Sequence, residues 1–136
     1  MLTSNAAWER FLREQRWAVL TTQRRSGQPV SSVVAYACEP DSLVVSTPRT
    51  RFKTLSIRRN PHVNLCAISN QEPFNYVSVE ARAVVDEGDI VAATSAVFDA
   101  IADTGWPAPP DIAQWVRDDD RVILRLTPER VFGVIR

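Results

Sequence analysis

Lysine is almost missing from this chain. Of its 16 Lys and Arg residues, Lys53 is the single lysine. Histidine is represented by His62 alone, and cysteine by Cys38 and Cys66. One histidine and two distant cysteines cannot supply the ligand spacing of a zinc or haem site. Neither thiol stands in a sequence setting that would lower its pKa, so both read as inert, buried sulfurs. Formal net charge is +0, so the broad basic footprint of a nucleic-acid binder is absent and any cationic site must be local. No apolar run is long enough to cross a bilayer, and no signal-peptide pattern opens the chain. A cytoplasmic protein without membrane or nucleic-acid contact is expected. With only 4 glycines, the chain has neither a glycine-rich dinucleotide fingerprint nor a phosphate loop.

What is present is an ordinary apolar content spread over 136 residues, enough for a core without staples, and a single domain spanning 1–136 is expected. Trp8, Phe11 and Leu12 recur at helical spacing behind Thr3-Ser4-Asn5. The period then changes to that of strands. Trp17–Thr22, Pro29–Cys38 and Leu43–Thr47 read as strands, separated by turns at Arg24–Gln28 and Glu39–Ser42. Pro29 belongs at a strand start or sheet edge, because it lacks the N–H that a ladder needs. A helix over Arg51–Arg59 is stopped by Asn60-Pro61. Strands His62–Ser69 and Tyr76–Val85 follow, joined by a loop over 70–75. Asp86-Glu87-Gly88-Asp89 opens a helix reaching about Asp103, with Ile90, Ala93, Val97 and Ile101 on one face. A short helix near Asp111–Arg117 and closing strands Arg121–Leu126 and Val131–Ile135 complete the chain. Strands joined by tight turns, with helices inserted rather than alternating, predict an α+β antiparallel barrel or sheet.

The segment Thr47-Pro-Arg-Thr-Arg-Phe-Lys53-Thr54 stands out chemically. Cations on the first turn of a helix oppose its dipole, which favours acids there. An anion, most simply a phosphate, would reconcile the two by sitting between the side chains and the free N–H groups. Where arginine serves almost every positive charge, a lysine marks a place where a compact ammonium fits and a planar guanidinium does not. A solvated arginine-rich helix carrying one chance lysine is the competing reading. Thr47, Thr50 and Thr54 are candidate caps, and Arg49, Arg51, Arg58 and Arg59 form a candidate cationic track.

These residues, taken in order, resemble the pyridoxamine-phosphate-oxidase-like split β-barrel superfamily, whose members bind FMN or related cofactors. Trp17-Ala-Val-Leu-Thr-Thr with Ser26-Gly-Gln-Pro29 is similar to its opening strands. Arg51-Phe-Lys53-Thr54 with Ile57-Arg-Arg-Asn-Pro61 is similar to its phosphate-binding helix. Tyr76-Val-Ser-Val-Glu80-Ala-Arg-Ala and Pro128-Glu-Arg-Val-Phe-Gly133 are similar to its later strands. Within the superfamily the chain resembles the branch that uses the deazaflavin coenzyme F420. The oxidase itself carries a longer C-terminus with arginine and histidine groups for pyridoxal phosphate, so with His62 alone that activity is not expected.

The resemblance implies a homodimer with cofactor sites in the subunit interface. Arg51 and Lys53 would hold the cofactor phosphate, and Ser46, Thr47 and Thr50 would line the approach. Ser31, Ser32, Val33 and Val34 would pass along the ring, while Phe74 and Tyr76 would reach the neighbouring subunit's site. A small organic molecule would be the hydride acceptor. Bound FMN in an oxidase or reductase is one alternative, and a flavin or tetrapyrrole binder without turnover is the other. No catalytic residue is assigned: Glu80 and Asp86 read as surface or cap acids, and the product proton can come from water. Trp106 and Trp115, in a proline-rich stretch, read as a stiff packing segment or as a wall of the pocket.

Overall fold

The computed structural model of the chain describes residues 1–69, 71 and 74–136. Its strands are β1 (Trp17–Gln23), β2 (Pro29–Ala35), β3 (Ala37–Cys38), β4 (Leu43–Pro48), β5 (His62–Ile68), β6 (Tyr76–Asp86) and β7 (Arg121–Val134). They form a 7-stranded sheet in the order β2-β1-β5-β6-β7-β4-β3, with antiparallel neighbours throughout. The helices are α1 (Ala6–Glu14), α2 (Phe52–Arg59), α3 (Val91–Ala100) and α4 (Ile112–Asp118). The fold is α+β and split-barrel-like, as the alternation of the strands predicts. In the loop expected over 70–75, Asn70, Glu72 and Pro73 lie outside the described residues.

Strand alternation sends one residue in two into the barrel. Ala18 and Leu20 of β1, Leu65 and Ala67 of β5, Val77 and Val79 of β6, and Leu124 and Leu126 of β7 are all buried there. Helix α1 plugs this interior with Phe11 and Leu12. Asn5 starts it by accepting the Ala7 and Trp8 N–H groups at 3.1 Å each, which offsets two of the orphan donors of a helix start. A second core lies outside the barrel, where Ile90, Ala93 and Val97 pack on Ala37, Val44 and Ile123. That packing holds α3 across β4 and β7.

The structure differs from the sequence reading in three places. Pro29–Cys38 is two strands, because Tyr36 turns into the core and its hydroxyl donates to the Leu12 carbonyl at 2.5 Å. The chain bends there, so β2 pairs with β1 and β3 with β4. The two expected closing strands are one strand. An irregularity opposite Glu80/Ala81 absorbs Pro128, which a bulge can hold without an N–H. The acid-rich start of α3 does not cap it: the N-cap is Ile90, and the first turn has no acid. Asp86 instead accepts the Gly88 N–H at 2.9 Å and pairs with Arg125.

Gly133 marks a close approach of β7 to β6. A Cβ there would lie 2.4 Å from the Tyr76 carbonyl oxygen and 3.0 Å from Val77 Cα, both of them backbone atoms that cannot swing away. Gly133→Ala should therefore cost about 1–3 kcal/mol, the usual range for overpacking. Urea denaturation would show this as a lower midpoint, and an unchanged midpoint would mean that the end of β7 is not held against β6.

Candidate functional site

Seven elements and the segment after α3 converge on a cavity of about 480 Å³. β2 contributes Val33, Val34 and Ala35, and β1 contributes Trp17. β4 contributes Ser46, Thr47 and Pro48 just before the chain turns into α2. Phe98 and Ile101 of the α3 region, with Trp106 and Trp115, close the opposite side. The basic rim is Arg51, Lys53 and Arg121. The lining thus joins flat apolar walls to a local concentration of positive charge, and among the described residues it contains no carboxylate, histidine or thiol.

The rim follows from how α2 begins. Arg51 is its N-cap in extended backbone conformation, with no side-chain cap bond and no acid in the first turn. None of the candidate threonine caps serves. Thr47 is buried, Thr50 is exposed, and the Thr54 hydroxyl donates to the Pro48 carbonyl at 3.0 Å. Among the described residues, Arg51 and Lys53 have no acid partner. Lys53 is half-buried, and its ammonium is held below the ordinary 10.5 by burial first, then by Arg51 and Arg121. The Ser46 hydroxyl oxygen is buried without a hydrogen-bond partner, so the cavity has a polar contact still to be made.

The rest of the expected cationic track is engaged elsewhere. Arg49 pairs with Glu87 and with Asp120, Arg58 pairs with the same Glu87, and Arg59 donates to the Gln23 carbonyl. A charge count cannot show this, because Glu87 and Asp120 reach α2 only through the fold. Arg121 and the α3 wall were not found in the sequence; Arg121 reads there as one more strand arginine. Trp106 and Trp115 take the pocket-wall alternative, and Trp115 also packs edge-on against Phe98 at 5.2 Å.

Of the residues expected to bind cofactor, Val33, Val34, Ser46, Thr47, Arg51 and Lys53 line this cavity. Ser31, Ser32, Thr50, Phe74 and Tyr76 lie outside it. Ser31 shares a 2.9 Å hydroxyl contact with Thr21, and Phe74 is exposed with a left-handed φ of 61°. Tyr76 pairs with Ile68 and Val134, and so sits along the sheet from Trp17. His62 and Glu80 border a separate pocket of about 340 Å³, remote from the basic rim. Burial pushes the Cys38 thiol up to about 11 and raises Cys66 as well, so both resist forming thiolate. Among the described residues, no group of His, Cys, Asp and Glu could hold a metal ion. No helix there is long and apolar enough to cross a membrane.

The family model for pyridoxamine 5'-phosphate oxidase matches residues 4–135. The chain belongs to this family. Its members' fold recurs in solved structures of several descriptions. An F420 reductase is 23% identical, with a TM-score of 0.76 over 94% of this chain and 98% of that one. A FAD-binding protein from Mesorhizobium loti is 20% identical, with a TM-score of 0.71 over 96% and 92% of the two chains. The heme storage protein from Vibrio cholerae is 20% identical, with a TM-score of 0.69 over 91% and 89%. At such identities the likeness shows the shared fold. A search of curated proteins returns no match. Membership of the pyridoxamine 5'-phosphate oxidase family places the chain in an oxidoreductase and flavin-binding superfamily.

Lys53 gives a test of the rim that needs no ligand. The folded chain binds this proton less tightly than the unfolded chain, so stability increases as pH rises from the depressed pKa towards 10.5. Lys53→Met removes the penalty. It should leave the protein at least as stable as the parent at pH 7, by at most about 1 kcal/mol for a half-exposed charge. The advantage should vanish once the pH passes the ordinary lysine value. Urea denaturation at both pH values checks this, and a large destabilisation at pH 7 would make Lys53 a structural residue instead.

Proposed function

We propose that the cavity binds the deazaflavin coenzyme F420 and that the chain is an oxidoreductase passing hydride between the reduced cofactor and a small organic acceptor. The observation that carries this reading is the union, in one cavity, of flat aromatic and aliphatic walls with Arg51 and Lys53, neither of which has an acid partner among the described residues. The family and the F420 reductase of like fold support it. A bound deazaflavin supplies the hydride chemistry itself. The chain's own residues bind, orient and exclude water. Arg51 and Lys53 would hold the phosphate; Val33, Val34 and Ala35 would line the ring; Trp17 and Phe98 would keep the pocket dry. Ser46 Oγ, without a hydrogen-bond partner, would bond the ligand.

FMN is the second reading, favoured by the same phosphate-sized rim and by the FAD-binding protein of like fold. The tetrapyrrole reading is weaker, because no histidine, cysteine, methionine or tyrosine lines the cavity to serve as an axial ligand. F420 carries a phosphodiester and an anionic tail, so its affinity should exceed that of FMN and fall as salt rises. Titration of both cofactors side by side decides between them, and FMN binding that is tighter and insensitive to salt would reverse the choice. Lys53→Ala should weaken the preferred cofactor by about ten- to a hundredfold, the worth of a charge-assisted hydrogen bond. Lys53→Arg should recover only part of that loss.

The assembly proposed with this function is a homodimer. Across the outer face of the sheet, register aligns Val33, Val19, Cys66, Ser78 and Phe132 in one row. Val33 is 73% exposed at one end of the row and Phe132 is 36% exposed at the other. A second copy on this face would bring Phe74 and Tyr76 towards the partner's cavity and add Ser31, Ser32 and Thr50 to the shared site. Light scattering at micromolar concentration should give twice the chain mass, and Phe132→Asp should shift it towards the monomer. A parent protein that runs as a monomer would sink the shared-site model.

A further inference from the structure

Arg121 lies outside every motif that points to Arg51 and Lys53, yet it faces the same cavity. We propose that Arg121, presented on the ring of Trp115, is a further binding residue for the anionic group of the ligand, completing the basic rim beside the start of α2. The ladder fixes its place: Arg121 is the first residue of β7 and pairs with Pro48, where β4 leaves for the Arg51–Lys53 turn. The side chain is held as well. Its guanidinium carbon sits 4.5 Å from the Trp115 ring centroid, and Phe98 of α3 braces that ring edge-on at 5.2 Å and 74°. Stacking on an aromatic face orients the planar fork without using its N–H groups.

The donors so presented are under-used. Arg121 Nε is buried without a hydrogen bond, and its nearest acid, Asp119, stands 3.4 Å away. Asp120, the other acid at this turn, points at Arg49 instead, 3.0 Å from its Nε. Burial holds the Arg121 pKa below its ordinary value, Asp119 partly opposes that, and Arg51 adds to it. Arg51 and Arg121 likewise disfavour the charge on Lys53. Like charges gathered round one cavity, beside the orphaned Ser46 hydroxyl, are costly until an oxyanion is added. A phosphate ester meets the need, because its oxygens match a guanidinium fork and can also accept from an ammonium and a hydroxyl.

The identity of the ligand rests on the proposed flavin-type function; the anion site can be tested without it. The experiment compares FMN with riboflavin, which lacks only the phosphate, in the parent and in Arg121→Met, by calorimetry. The same comparison is made between F420 and its phosphate-free deazaflavin core. Arg121→Met should weaken the phosphorylated ligands by about ten- to a hundredfold and leave the phosphate-free ones unchanged. Arg121→Lys should fall between, and Trp115→Leu should act in the same direction through loss of the platform. An equal loss for both members of a pair, or no loss for either, would overturn the proposal. Should the parent bind no flavin or deazaflavin at all, the functional reading fails alone, and inorganic pyrophosphate becomes the probe, followed by tryptophan fluorescence. Binding that Arg121→Met and Lys53→Met each weaken supports the site. A parent that ignores pyrophosphate as well removes it.

Discussion

Every residue of the 11-residue strand β6 is paired with β7, from Tyr76 against Val134 to Asp86 against Ile123. The rest of the molecule hangs on this ladder. Its one irregularity lets β7 carry Pro128 and still continue as a single 14-residue strand. Along its other edge β7 pairs with β4 from Arg121 to Leu126, so Ile123–Leu126 are held on both sides and Arg121 and Val122 reach past the end of β6. The same strand therefore sets the barrel wall at one end and the rim of the cavity at the other. Pairing of Pro48 with Arg121 brings the start of α2 and the start of β7 together, two segments far apart in the chain.

Charge is distributed around this frame in two distinct ways. Away from the cavity several arginines are matched: Arg125 bridges Glu39 and Asp86, lowering the Glu39 carboxyl pKa and, after the Gly88 N–H bond, that of Asp86, and Arg13 pairs with Glu9 on α1. Arg125 is thus a structural tie between the β3–β4 turn and the end of β6, not a neutral surface residue. At the cavity the pattern reverses, and cations stand on apolar ground with little or no acid. Folding alone gains nothing from such an arrangement, since desolvated like charges oppose it.

The strands were legible because alternation of buried and exposed residues is a local signal, and the α+β class followed from their spacing. Tyr36 was not legible as a break, since its role depends on reaching the Leu12 carbonyl in α1. The join of Arg121–Leu126 and Val131–Ile135 into one strand was not legible, because the irregularity that accommodates Pro128 exists only when β6 is alongside. In the site, Arg51 and Lys53 were visible as an electrostatic anomaly within one short segment. The pairing of Arg49 and Arg58 with Glu87, and the meeting of Phe98, Trp115 and Arg121, depend on where α3 and α4 come to rest. No periodicity in those segments encodes that position.

The two margins of the sheet carry a consequence of their own. β3 has only 2 residues, and β2 begins with Pro29, which has no N–H to offer. Neither edge is a good template for an added strand, the usual route to uncontrolled aggregation of open sheets. Copies of this chain that meet must do so through side chains on the broad surface of the sheet, so any such contact depends on residue identity and can be specific. The same short edges leave no ladder between β2 and β4, and the cavity lies across that gap.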